Sequence, residues 1–164
     1  MRAEMNSILT KIPKLESQWK IIHDFKPTEY LHETDPRRPP LGLFVATGDG
    51  RPKWVSIVGI CFPFQNIGLL HGITGDNNQI EPQQPVKSTQ LPKVGEWTRI
   101  ELGHEKVDGK YFLSLSVGGR EVGRKEVTDP GLRNLTGVKV CIGSVSRDRY
   151  QPGFIRRLVV LEKR

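Results

Sequence analysis

The sequence predicts an all-β domain, and three observations predict it. Apolar and β-branched runs of strand length recur along the whole chain, each broken by Gly, Pro, Asp or Asn. No long segment carries a capped apolar stripe with a 3.6-residue period. Gly118-Gly119 stands between two runs of short alternating residues, as the turn of a hairpin would. The 164 residues read as one domain, 1–164, with one hydrophobic core. About ten strands, with no helix to cover a sheet, leave an antiparallel β-sandwich or a closed barrel as workable architectures.

Residues 1–15 are an N-terminal extension or a first edge strand. Trp19, Ile21, His23 and Phe25 then alternate with Lys20, Asp24 and Lys26, the pattern of a strand with one buried face, and Pro27 ends it. His23 falls on the apolar side and is expected to be a packed, hydrogen-bonded histidine rather than a ligand or catalyst. Tyr30 to Pro40, with three prolines around Arg37 and Arg38, is an irregular connection. LGLFVATG, KWVSIVGIC and NIGLLHGIT follow as three buried or half-buried strands. A polar loop is expected from Asp76 to Lys93, where Pro82, Pro85 and Pro92 sit. Beyond it EWTRIELGHEK, KYFLSLSVG, REVGRKEV, GVKVCIGSV and GFIRRLVVLEK each have the length of a strand. In the second of these, Tyr111, Leu113, Leu115 and Val117 share one face, and Phe112, Ser114 and Ser116 share the other.

Composition narrows the function. With 36% hydrophobic and 26% charged residues the chain lies on the polar side of globular, and no apolar run reaches the roughly 20 residues of a transmembrane helix. The first residues hold Arg2, Glu4 and Lys11 and no continuous apolar core, so they are not a secretory signal; the protein is intracellular, or a mature or excised domain. Cys61 and Cys141 have no metal-type spacing and read as two buried thiols or one disulfide. Asn134-Leu135-Thr136 is a sequon that matters only in a secreted protein. The formal charge of +7 is concentrated late. Gly131 to Arg164 holds eight basic residues against Asp148 and Glu162, a balance of +6. Such an end attracts sulfated glycans, anionic lipid or nucleic acid, or is simply a solvated face.

Trp97, Ile100, the Tyr111–Val117 alternation, the Gly118-Gly119 turn and the terminal PGFIRRLVV together resemble the C-terminal half of a laminin G-like domain, in the wider concanavalin A-like lectin and glucanase group. WKIIHDFKP is similar to an early strand of the same group. The disulfide that laminin G domains carry near the last strand has no counterpart, because no cysteine follows Cys141. The resemblance implies an antiparallel β-sandwich of jelly-roll type. It also implies that ligands are taken on the concave sheet and at the rim loops, which points to Ser114 and Ser116 as ligand-binding residues. A calcium ion at a loop rim is a further implication, and Asp49, Asp76, Asn77 and Asn78 supply the hard oxygens it prefers, although Gly-Asp-Gly and Asp-Asn-Asn are also ordinary turn chemistry.

Because that group contains glycan-cleaving enzymes, their apparatus has to be sought. A retaining glycosidase needs two carboxyl groups about 5–5.5 Å apart, which alternate residues of a strand can supply. No such pair stands out: Glu101 and Glu105 flank His104, and Glu121 and Glu126 differ in parity. There is no Gly-x-Ser-x-Gly, no phosphate-binding glycine loop and no His-Glu-x-x-His, and His23, His32, His71 and His104 are scattered. The set by which galectins grip galactose is missing as well, since no His-x-Asn-x-Arg exists and Trp97-Thr98-Arg99 lacks the following glutamate at the required spacing. At the basic end Arg156 and Arg157 are neighbours on a strand and should point to opposite faces, so only one can join Arg147 or Arg149 in a patch. Tyr150 and Phe154 are its only aromatics, too few for a nucleic-acid surface.

The sequence therefore reads as a non-catalytic recognition module for a glycan or an extracellular protein, with Arg147, Arg149 and Arg156 contributing charge toward a sulfated glycan. Alternatives are a structural domain that forms homo-oligomers by pairing sheet edges, and a galectin-like lectin. Calcium is the one cofactor suggested, and neither nucleic acid nor a transmembrane segment is expected. The compartment is extracellular for a secreted or excised domain, with the cytoplasm left open.

Overall fold

The computed structural model describes residues 7–30, 40–48, 54–63, 66–73, 91–128, 132–142 and 151–163. Within them the chain forms ten strands: β1 (Ser7–Leu15), β2 (Gln18–Pro27), β3 (Leu41–Gly48), β4 (Trp54–Cys61), β5 (Gly68–Ile73), β6 (Thr98–Val107), β7 (Lys110–Val117), β8 (Arg120–Glu126), β9 (Leu135–Ile142) and β10 (Gly153–Lys163). Two five-stranded antiparallel sheets result, β1-β9-β3-β4-β5 and β10-β2-β6-β7-β8. Among the described residues no helix is long and apolar enough to cross a membrane.

The period-two pattern explains how the sheets meet. Trp19, Ile21, Phe25, Ile100, Leu102, Leu113, Leu115, Val117 and Ile155 of the second sheet face Leu43, Val45, Val58, Ile60, Val138, Val140 and Ile142 of the first, all at most 3% exposed. Fully burying such a side chain contributes about 1.5–3 kcal/mol before chain entropy is subtracted. The fold is the expected sandwich, and residues 7–15 are an edge strand. That position suits Pro13, which has no N–H to give to a ladder on both sides. Gly118 and Gly119 have φ of 61° and 82°, which two-residue hairpin turns require and side chains resist.

The two outer faces differ. On the first sheet Leu41, Phe44, Ala46, Cys61 and Cys141 make a second buried apolar cluster. The two cysteines in it are free thiols. Burial pushes both up to about 12, against the smaller opposing effects of a backbone hydrogen bond at Cys61 and of Lys139 near Cys141. The outer face of the second sheet carries charge instead.

Candidate functional site

The outer face of the second sheet can be followed row by row across its strands. Leu161 pairs with Lys20, Lys20 with Gly103, Gly103 with Ser114 and Ser114 with Arg124, so one straight row crosses all five strands. The next row is Val159, Ile22, Glu101, Ser116 and Glu121. Beyond it Arg156 pairs with Asp24 and Asp24 with Arg99, and then Phe154 with Lys26. Ser114, Ser116 and Arg156 thus share one face.

Gly103 makes the middle of this face hollow. A Cβ there would lie 2.9 Å from Ser114 Oγ and 3.9 Å from Lys20 Cε, so the bare glycine lets the serine hydroxyl pack closer than a side chain would allow. An open depression of about 310 Å³ lies over it, with Gln18, Lys20, Glu105, Leu161 and Lys163 around it. Leu161, 49% exposed, gives the depression an apolar lip, and Lys20, Glu105 and Lys163 give it charged sides.

Ion pairs organise the surrounding charges. Lys20 Nζ lies 3.7 Å from Glu101 Oε2, and Arg124 reaches both Glu121 (2.9 Å) and Glu105 (3.4 Å). Arg124 also stands 5.5 Å from the centroid of Phe112. The hydrogen bond from Arg124 holds the Glu121 carboxyl below its ordinary range, with the charges of Arg124 and Lys20 acting in the same direction against a smaller burial effect. Three glutamates therefore gather around two cations, which the sequence did not reveal. The grouping depends on β2 lying beside β6 and on the bulge between β7 and β8, neither of which is encoded locally.

Beneath the face, His104 is buried and stacked between Trp19 (5.7 Å between centroids) and Tyr111 (5.1 Å). Its Nδ1 is 2.7 Å from the Ser17 carbonyl, an acceptor, so Nδ1 carries the proton. His23 is likewise in the core, 1% exposed, as expected. Its Nδ1, however, has no hydrogen-bond partner. Burial lowers its pKa to about 4, with the attraction of Asp24 opposing and losing.

The basic end departs from expectation. Arg156 and Arg157 do not diverge to opposite faces: Arg156 Nε is 3.2 Å and Arg157 Nη1 3.6 Å from the same atom, Asp24 Oδ2. The pairing of β10 with β2 slips between Arg156 and Val159, and Arg157 sits in the left-handed region at φ 55°. This bulge cancels the alternation of side chains. A non-glycine residue there gives up about 1 kcal/mol or more of backbone energy. The sequence did carry a signal, because Leu158-Val159-Val160 breaks the alternation. Arg156 also stacks 4.1 Å from the centroid of Trp97, with Lys26 Nζ 5.0 Å from the same ring.

Arg147, Arg149, Asp49, Asp76, Asn77 and Asn78 lie outside the described residues. Among the described residues no three His, Cys, Asp or Glu side chains converge as metal ligands would.

No protein-family model and no curated protein matches the chain. Solved structures do. A native heptameric SAP-like pentraxin from Limulus polyphemus superposes with a TM-score of 0.60 at 16% identity, covering 93% of this chain and 67% of its own. The receptor-binding domain of botulinum neurotoxin mosaic serotype C/D gives 0.53 at 13% identity, covering 98% of this chain. This chain spans only 41% of that domain's length. A tetrameric galectin from the ball sponge Cinachyrella sp. covers 95% of this chain and 97% of its own at 12% identity, but its TM-score of 0.44 is too loose to argue from. At these identities the likeness concerns the fold, which is the concanavalin A-like jelly-roll sandwich.

Proposed function

We propose that this protein is a non-catalytic recognition module that binds a glycan, in an extracellular setting, on the outer face of its second sheet. The observation that carries the reading is the row Leu161, Lys20, Gly103, Ser114 and Arg124, in which the bare glycine leaves an open depression lined by Lys20, Gly103 and the exposed Leu161. A shallow trough with donors, acceptors and an apolar lip matches a sugar, which has hydroxyls on its edges and C–H groups on its faces. Cleavage is not the better reading. Glu101, Glu105 and Glu121 on this face are tied to Lys20 or Arg124, and Glu121 is held low, the opposite of what a general acid needs. The formal charge of +7 favours a sulfated glycan within the class.

A glycan array at low and raised salt, with and without calcium, tests this. Saturable binding that weakens about tenfold in Lys20→Ala, the loss expected for one hydrogen bond to a charged group, supports it. Gly103→Ala, which fills the floor and needs only the short Ser114 side chain to turn, should weaken binding as well. Absence of binding to every glycan at low salt overturns it.

A second reading, assembly of copies through sheet edges, is favoured by β10, an edge strand on which Val159 and Leu161 are 44% and 49% exposed. Light scattering distinguishes the two: a stable oligomer with no glycan affinity is assembly.

A further inference from the structure

We propose that Arg156 and Arg157, gathered by Asp24 across the β10 bulge, form with Arg99 and Lys26 a subsite for a tetrahedral oxyanion, the sulfate or phosphate ester of a larger ligand. It rests on the glycan reading above and places the ligand's charged group at one end of the same face.

The geometry is that of a built site. Asp24 is 7% exposed, and its Oδ2 takes Arg156 through Nε and Arg157 through Nη1, so one carboxylate at the base fixes two guanidiniums. Arg157 is mostly exposed, with 70% of its side chain open to solvent. Arg99 is exposed and stands opposite Asp24 in strand register, on β6. Trp97 backs the group, with Arg156 at 4.1 Å and Lys26 at 5.0 Å from its ring. Two guanidiniums therefore share one carboxylate, with Arg99 on the neighbouring strand and Lys26 on the Trp97 ring, and the excess of positive charge invites an anion. Guanidiniums on either side of Asp24 suit an ester with three outward oxygens better than a flat carboxylate with two.

The bulge is the second line of argument. Regular alternation would send Arg157 to the core side, and the slip with its left-handed residue keeps it beside Arg156. Glycine would adopt that conformation without strain, so arginine is here for its side chain.

Arg157→Gly is the natural test, because it relieves backbone strain while removing one guanidinium. The probes are a sulfated glycosaminoglycan, the same chain chemically desulfated, a sugar phosphate, and inorganic sulfate followed on arginine Nε–H signals by NMR. The expected result is a fold at least as stable as wild type, with affinity for the sulfated chain about tenfold weaker and close to that of the desulfated chain. Tighter binding of the sugar phosphate than of the sulfated chain keeps the subsite and assigns it to phosphate. Asp24→Asn supplies the sharper readout. A diffuse positive patch would bind anions more tightly once the carboxylate is neutralised, whereas a site positioned by Asp24 binds them more weakly. Equal affinity for sulfated and desulfated chains, or tighter anion binding by Asp24→Asn, overturns the subsite and leaves the glycan reading standing. If no glycan binds but inorganic sulfate moves the arginine signals in wild type and not in Arg157→Gly, the subsite stands and the glycan reading falls.

Discussion

Acidification should destabilise this protein through one core residue, His23. The side chain lies on the inner face of β2 between Ile21 and Phe25, 1% exposed, and desolvation brings its pKa from 6.5 to about 4, although Asp24 pulls the other way. A histidine whose pKa is lower folded than unfolded adds stability above the unfolded value and loses it as pH falls toward the folded one. Between pH 6.5 and 4 the unfolded chain takes up a proton that the native state refuses. The loss is about 1.4 kcal/mol at pH 5.5 and about 2.5 kcal/mol at pH 4.5, from pKa values of 6.5 and about 4. Urea unfolding at pH 7.5, 6.5, 5.5 and 4.5 measures it. With a slope of about 2 kcal/mol per molar, the midpoint should drop by about 1 M or more by pH 4.5. Other groups titrate over the same range, so the decisive quantity is the difference from His23→Gln, which cannot take up the proton. The variant should start less stable at pH 7.5 and lose stability less steeply. Parallel curves for the two proteins, or an NMR midpoint for His23 near 6.5, would refute the reasoning.

Three further outcomes follow from single contacts. Gly153→Ala should destabilise by about 2 kcal/mol in thermal or urea unfolding, because a Cβ would stand 2.5 Å from Phe25 Cε2 and 2.7 Å from the Lys26 carbonyl. Cys61 and Cys141 should resist a thiol reagent at pH 8 in the native protein and react promptly in denaturant, since with values of about 12 only about one thiol in ten thousand is ionised. Arg124→Ala should let the Glu121 carboxyl titrate higher by NMR while changing stability by less than about 1 kcal/mol, because the pair is largely in solvent.

The strands were legible because their signal is local. LGLFVATG is β3 and KYFLSLSVG contains β7, since alternation and turn residues are written within a few positions of one another. Strand order was not legible. That β9 lies between β1 and β3, and β10 beside β2, depends on contacts between distant segments. The site inherits the same divide. That Ser114 and Ser116 share the outer face was legible because they alternate with core leucines, whereas the Lys20–Glu101 pair and the glutamates on Arg124 needed the register of neighbouring strands. Arg157 was misplaced because parity holds only while a strand stays regular.

The contrast between the two outer faces bears on which ligand the sandwich suits. On the first sheet Phe44, Cys61 and Cys141 are wholly buried, and on the second the equivalent face carries Lys20, Asp24, Glu101, Glu105, Arg124 and Arg156. An apolar partner seated on that second face would strip water from these charges and return too little, because removing an ion from water costs several kcal/mol even when a counter-charge is near. A ligand that brings hydroxyls and anionic groups replaces the lost water with hydrogen bonds, and the charges then favour binding. A shallow, open trough encloses little of any ligand, so each contact is weak and salt-sensitive. High affinity on such a face requires a repeating ligand, or several copies of the module acting together. Polymeric glycans, which repeat and can carry charge, combine both properties, and this is the ground for proposing them as the ligand.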